Sequence, residues 1–245
     1  MINKYKNLLA IVFWITIWQI TATLVDKPYI FASFTDTITS LFGLIQTEIF
    51  WLAIFKTLSF TVLGFLSAFI SGLILAILSY KHSFFETFIN PILFVLKSVP
   101  VASIIVIILI WFGSKYLSVY VSFIVVFPQF YYTFLAGLKN VSQKMLEVAK
   151  VFRFSFYRKV LYIYRLSITP FLKNSISTTC ALAFKSSVAA EIIGNTISTI
   201  GEQIYYSKIY LDSASLFCYS FVLIVISFLF EKIIALLTYK LGGKV

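Results

Sequence analysis

Few side chains in this sequence could carry bond-making chemistry. Its 245 residues include one histidine, His82, and two cysteines, Cys180 and Cys218, which both fall in apolar runs. A metal site or a nucleophile–base pair needs several such groups together, and neither H-E-x-x-H nor G-x-S-x-G occurs. We therefore expect both cysteines to be packing residues and His82 to be a solvated loop residue. The sequence predicts no catalytic residue, no metal site and no cofactor bound by this chain.

Three ionisable side chains, Lys97, Lys185 and Glu191, could instead act on an ion, because they fall well inside long apolar segments. A charge in the middle of a bilayer costs at least about 2.5–3.5 kcal/mol, so such groups usually face a bundle interior or water. Lys97 could reach the membrane surface and Glu191 could be hydrated near the outer end. Lys185 lies deeper in its apolar segment, and it could either have a structural role or contact a substrate. These three residues, with Ser186 and Ser187, are candidates for lining a translocation path.

The elements that must position these residues are apolar helices. The chain is 60% hydrophobic and 12% charged, with a mean hydropathy of +0.97, whereas a soluble domain has about 25% charged residues. Six segments reach the roughly 20 apolar residues of a membrane-spanning helix, namely 8–25, 57–80, 91–112, 116–136, 171–194 and 213–237. The sequence predicts an all-α polytopic membrane protein with a single membrane domain, residues 1–245. The net charge of +11 therefore indicates membrane topology and not nucleic-acid binding.

Lysine and arginine are distributed unevenly between the two sides. Fourteen lie on the side of the N-terminus and only four on the other side, which also carries five acids. Cytoplasmic loops carry the excess of basic residues. Both termini are therefore predicted to be cytoplasmic, and segment 26–56 to be external, with room for a surface helix.

Small residues and prolines predict how the spans pack. Gly64, Ala68, Gly72 and Ala76 recur every four residues, which lets helices approach closely, either within one bundle or against a second copy. Asn90 and Pro91 are predicted to cap and begin the third helix. Pro100 and Pro128 are predicted to kink the third and fourth helices, because proline removes a backbone donor.

The loop after the fourth span is unusually basic, with seven Lys or Arg in the twenty-seven residues from Lys139 to Arg165. From Ser142 to Phe152 it has the pattern of a short amphipathic helix, followed by a break near Arg153 and a second helix capped by Ser155. Such a loop could be a docking element for a partner or a surface that lies along lipid headgroups.

A family resemblance favours the docking element. Residues 139–170 resemble the "EAA" loop of permease subunits in binding-protein-dependent ABC importers, with Glu147-Val148-Ala149 at the E-A-A positions and Ile163 at the later isoleucine. Arg153 stands at the usual glycine, where it would cost about 1–2 kcal/mol in a left-handed turn, so a wider turn is expected. Residues 57–231 resemble the permeases associated with nitrate, sulfonate, taurine and thiamine-precursor uptake.

This resemblance implies a type I importer fold in a prokaryotic plasma (inner) membrane. It implies ATPase subunits that carry ATP and magnesium, an external binding protein, and a small, anionic or heterocyclic solute. A homodimer is the default, with a heterodimer as the alternative. The residues expected to couple the loop to the ATPase are Met145, Glu147, Ala149, Phe152 and Arg153, with Glu147 as the polar anchor.

Two other functional classes remain as alternatives. An integral-membrane enzyme would need a catalytic constellation, and none is found. An ATP-independent transporter would be favoured by inverted internal repeats, which the sequence does not show. The chain lacks the G-x-x-x-x-G-K-[ST] phosphate-binding motif, so ATP hydrolysis would belong to a partner subunit.

Overall fold

The structure is a computed structural model that describes residues 2–241, which form eleven α-helices and one π-helical turn and include no strand. The elements are α1 (Ile2–Val25), α2 (Phe34–Ile45), α3 (Glu48–Lys81), α4 (Ser83–Ser98), α5 (Val101–Phe112), α6 (Leu117–Lys139), α7 (Gln143–Val151), α8 (Phe156–Lys159), the π turn (Val160–Tyr164), α9 (Arg165–Gly194), α10 (Ile200–Ile209) and α11 (Ser213–Leu241). The predicted all-α polytopic class is confirmed. Met1 and residues 242–245, the chain ends predicted to be cytoplasmic, lie outside the described residues.

The predicted spans correspond to elements of this bundle. Within the described residues, four helices are long and apolar enough to cross a membrane. They are α3, α6, α11 and the continuous helix that runs from α8 through the π turn to the end of α9. Helices α4 and α5 are apolar enough together to count as a fifth span if they form one crossing, but the chain bends by 103° between them, as it also would in a re-entrant loop. The first predicted span corresponds to α1, whose apolar part, Leu9–Val25, is too short to count among these helices, so four or five of the six predicted spans are found within the described residues.

The third predicted span differs most from the sequence expectation. Helix α4 begins at Ser83, so Asn90 and Pro91 lie inside it and the predicted start is wrong. No helix breaker occurs between His82 and Pro91, and the extended backbone of His82 already begins the helix. The chain then breaks at Pro100 and turns by 103° into α5, because a proline disfavours helical backbone at the residue before it. Helix α6, by contrast, runs through Pro128 without a break.

Helix α6 lies between α3 and α9 at the centre of the bundle and is the most buried of the long helices. The four small residues of α3, Gly64, Ala68, Gly72 and Ala76, are all buried. A Cβ at Gly64 would lie 2.6 Å from the Val119 carbonyl oxygen of α6, and one at Gly72 would lie 3.0 Å from Phe130 Cβ. The small residues are therefore packed within this chain, as the first of the two alternatives predicts.

The predicted external segment contains α2, which Ser33 begins as an N-cap that accepts a hydrogen bond from the Asp36 backbone N–H (3.1 Å). The Asp36 carboxylate accepts one from the Ser33 backbone N–H in return, so the end of the helix is closed by a capping box. Helix α2 packs against α1, α3 and α11, and its Ser40 hydroxyl lies 3.2 Å from that of Ser215. The segment is thus a fixed part of the bundle.

Candidate functional site

The basic loop folds as a helix, a break and a second helix, as its sequence predicts. Helix α7 follows Ser142, and the Ser155 hydroxyl accepts a hydrogen bond from the Arg158 N–H (3.4 Å) at the start of α8. Helix α8 continues through the π turn directly into α9, and together they are long and apolar enough to cross a membrane. A displacement of α8 would therefore be transmitted to α9 without an intervening flexible linker.

Arg153 closes the end of α7 in the conformation usual for glycine. Its φ is +47°, in the left-handed region. The Phe154 N–H bonds the Ala149 carbonyl (2.8 Å) and the Arg153 N–H bonds the Lys150 carbonyl (3.1 Å), which is the pair of bonds that defines a Schellman motif. The expectation of a wider turn is therefore wrong. The two bonds, with the burial of Ala149 and the packing of Phe154 against it, hold the arginine in a conformation it otherwise disfavours.

The residues predicted to couple α7 to a partner do not share one face. Met145, Glu147, Phe152 and Arg153 are exposed. Ala149 is 1% exposed and packs in a cluster with Val141 and Ile163 of the same chain. Ala149 therefore attaches α7 to the bundle and is not accessible to a partner, since a side chain on the amphipathic helix can face only one way.

The path candidates Ser186, Ser187 and Glu191 are also buried, which corrects their predicted exposure to a path. The Ser186 hydroxyl bonds the Ala183 carbonyl (3.2 Å). The Ser187 and Thr61 hydroxyls form a hydrogen bond (2.8 Å), and the Thr61 hydroxyl also lies 2.8 Å from the Thr57 carbonyl, to which it can donate. Both serines thus face the interior of the bundle, where each buried hydroxyl has a hydrogen-bond partner.

Glu191 lies at the end of the bundle that is predicted to be external, and it is buried there, not hydrated as the sequence suggested. It is fully buried, and its Oε2 accepts hydrogen bonds from the Thr57 hydroxyl (2.8 Å) and the Gly201 N–H (3.2 Å). The Thr57 hydroxyl in turn accepts one from the Ile200 N–H (2.9 Å). One carboxylate therefore joins α9, α3 and the start of α10.

Lys185 is the path candidate that the structure leaves exposed in the middle of a span. Asn174 and Thr178 are also exposed, and they precede Lys185 by eleven and seven residues. At 100° per residue the three side chains fall within about 40° of each other around the helix, over a length of about 16 Å. They form a polar face on α9, here called the α9 polar face.

Grooves flank this face at both ends. One, of about 330 Å³, is lined by Asn174 and Thr178 together with Gln129 of α6. The other, of about 600 Å³, is lined by Lys185 together with Ser227 and Glu231 of α11. These polar groups give an ion or polar solute contacts that lipid-facing surface does not provide.

Lys97 lies in the last turn of α4, where it is exposed, and its Nζ is 4.8 Å from the centroid of the Tyr132 ring. Tyr132 also lines the groove beside Asn174. The bundle therefore brings Lys97 to one end of the α9 polar face, whereas the sequence alone left its position open between the path and the membrane surface.

The path candidates predicted from the sequence did not include Asn174, Thr178, Gln129 and Glu231. Glu231 falls inside the predicted sixth span and could have been included as an intramembrane acid. Asn174, Thr178 and Lys185 recur with the spacing of one helix face, so this polar face could have been predicted from the sequence. Within the part of the chain that the structure describes, no group of three His, Cys, Asp or Glu residues could hold a metal ion, and both cysteines are buried.

Comparison with known proteins is consistent with this arrangement. Residues 68–242 match the family described as "Binding-protein-dependent transport system inner membrane component". A Bacillus subtilis (strain 168) protein, provisionally named an aliphatic sulfonates transport permease protein, SsuC, is 27% identical over 96% of this chain and 86% of its own length. A Haemophilus influenzae protein (strain ATCC 51907 / DSM 11121 / KW20 / Rd), provisionally named an ABC transporter permease protein, is 29% identical over 80% of each chain.

Proposed function

Because the chain belongs to the family of inner membrane components of binding-protein-dependent transport systems, we propose that its α9 polar face lines the path of a small anionic solute and that α7 couples this path to a cytoplasmic ATPase. The chain is a multi-pass plasma-membrane permease component of an ABC importer, and its relatives are transport subunits and not enzymes. The observation that carries the proposal is the exposed polar face in the middle of a membrane-spanning helix.

The energetics of the bilayer support a path on this face. Lys185, Asn174 and Thr178 would each be costly against hydrocarbon, whereas a water-filled path would hydrate them. The rest of the bundle surface is dominated by exposed aliphatic and aromatic side chains that suit lipid. A second copy of this chain would complete the path from the other side, so we propose a homodimer.

The charge of Lys185 favours an anion as the solute. A sulfonate is a compact anion, and the B. subtilis relative is named for aliphatic sulfonates. Glu231 lines the same groove, so an acid lies near Lys185 when the path is empty, although the two groups form no ion pair within the described residues. A small alkanesulfonate, delivered by an external binding protein, is the solute that we propose.

Helix α7 provides the coupling contact. Met145 and Phe152 are exposed on one side of α7 and Glu147 on the opposite side, so a partner groove that encloses the helix would bury the apolar groups and pair with the acid. Buried aromatic and methionine side chains are typical anchors of such interfaces. Arg153 shapes the end of the helix and Ala149 holds it to the bundle, so these two residues support the contact indirectly.

The test of the path is uptake of ethanesulfonate by proteoliposomes that contain this chain with its ATPase and binding protein. Lys185→Gln should lower the rate at least about tenfold, because a hydrogen bond to a charged group contributes about 1.5–3 kcal/mol. Lys208→Gln, the same change on α10, should leave uptake unaltered. Wild-type uptake by a normally inserted Lys185→Gln variant would show that the α9 polar face is not the path.

A further inference from the structure

A cavity of about 350 Å³ lies at the end of the bundle from which α7 projects, between α3, α6 and α9. Its volume falls within the range of small-molecule sites, about 300–1,000 Å³. The inner walls are apolar, with Leu73, Phe134 and Leu172 among them. None of the residues described above as coupling or path candidates lines it.

Two basic residues line this cavity. Lys81, in the last turn of α3, and Arg165, the first residue of α9, both line it, and no acidic residue does. Two phenol rings, those of Tyr80 and Tyr164, also line the cavity and pack edge to face with centroids 6.2 Å apart. The cavity thus has an apolar interior and two cationic groups on its wall.

Arg165 is incompletely paired. Its Nε is buried and has no hydrogen-bond partner within residues 2–241. A buried donor without an acceptor is costly, which indicates that another group supplies the acceptor. Arg165 also follows directly on the π turn, whose end residues Val160 and Tyr164 line the cavity. Short π-helical turns within helices occur frequently at functional sites.

We infer that this cavity binds an acidic phospholipid of the cytoplasmic leaflet, with an acyl chain against the apolar walls and the phosphate between Lys81 and Arg165. Basic pockets between membrane helices on the cytoplasmic side bind anionic headgroups, and the predicted orientation places the cavity on that side. A phosphate oxygen would accept the hydrogen bond that the Arg165 Nε lacks. The apolar interior distinguishes this site from one for a free anion.

The site is separate from the proposed solute path. Arg165 and Leu172 precede Asn174 by nine and two residues on α9, which places them about 160–180° away around the helix. The lipid would therefore lie behind α9, in contact with the π turn that links the coupling segment to the bundle. Lipid binding does not depend on the identity of the solute.

The test is native mass spectrometry of the full-length chain, released from mild detergent after addition of dioleoylphosphatidylglycerol or dioleoylphosphatidylcholine in equal amounts. The wild type should retain phosphatidylglycerol with a preference of about thirtyfold, since each basic residue near anionic lipid contributes about fivefold. A Lys81→Gln/Arg165→Gln variant should lose this preference. The matched variant Lys144→Gln/Lys150→Gln, with the same change in charge on the exposed surface of α7, should keep it.

Two further measurements test whether a phospholipid occupies the cavity. Val160→Trp would fill the cavity but keep both bases, and it should abolish retention of phosphatidylglycerol. Inorganic phosphate in excess should not displace the lipid from the wild type. Equal preference in the wild type and the Lys81/Arg165 variant, equal loss in the α7 control, unchanged retention by Val160→Trp, or displacement by phosphate would each overturn the assignment.

Discussion

At the scale of single residues, the outer end of the bundle depends on the carboxylate of Glu191. It is fully buried and joins α9 to α3 and α10 through Thr57 and the Gly201 N–H. Gly201 permits this contact because it has no side chain. A Cβ there would overlap the Glu191 side chain and lie 2.9 Å from both the Glu191 carbonyl carbon and the Ile192 nitrogen. Neither neighbouring atom can move easily, because both belong to the α9 backbone.

Gly201→Ala should therefore destabilise the protein by about 1–3 kcal/mol, the usual cost of overpacking. Gly43→Ala on α2 is the matched control, because a Cβ at Gly43 meets nothing within 4 Å. The control should be stabilised by about 0.5–1 kcal/mol through its higher helix propensity. Thermal denaturation of the two variants in the same detergent measures the difference. Equal midpoints would contradict the close contact between Gly201 and Glu191.

At the scale of elements, α7 ends in a Schellman motif with arginine where glycine is usual. The sequence predicted the helix, the break and the cap of α8, because these follow from local residue types. It failed on the conformation of Arg153, since the two hydrogen bonds of the motif and the packing of Phe154 against Ala149 override the intrinsic preference of an arginine. The sequence also did not predict that Ser186 and Ser187 are buried, because the neighbouring helices determine which face of a membrane-spanning helix is buried. The break at Pro100 was anticipated only as a kink.

Arg153→Gly should stabilise the end of α7 by about 1 kcal/mol, because glycine adopts the left-handed conformation without the cost that arginine bears. Lys150→Gly, three residues earlier in regular helix, should destabilise it by about as much. Hydrogen exchange of the amides in residues 143–154 reports both changes. Exchange should slow in the first variant and accelerate in the second. Faster exchange in Arg153→Gly would contradict the assigned turn.

At the scale of the whole molecule, the bundle must be oriented so that α7 meets the cytoplasm. The asymmetry of Lys and Arg predicts this orientation. The ion pair between Lys139 and Glu86 (2.6 Å) places the first turn of α4 and the end of α6 on one side. Both native cysteines are buried, so they should not react with a polar reagent.

Single cysteines at Lys27, Lys115 and Lys208 should be labelled by an impermeant maleimide added to intact cells. Cysteines at Lys81 and Lys150 should be labelled only after the cells are opened. The physical reason is that the thiolate of each engineered cysteine reacts only where the reagent has access. Labelling at position 150 from outside the cell would show that the orientation is the reverse of the predicted one. Helix α7 would then lie outside the cytoplasm, where it could not bind an ATPase.

The most direct test of the central claim, that α7 couples this permease to an ATPase, is charge reversal at Glu147. This residue is exposed and forms no ion pair within the described part of the chain, so Glu147→Arg should leave insertion and protein level unchanged. Reversing a desolvated interfacial charge costs about 2–5 kcal/mol, which predicts binding of the ATPase at least about thirtyfold weaker. Glu48→Arg, at the outer start of α3, is the matched control. The measurement is binding of the purified ATPase to each variant in nanodiscs. Loss in Glu147→Arg alone is the predicted result, and equal binding by both variants and the wild type would contradict the account.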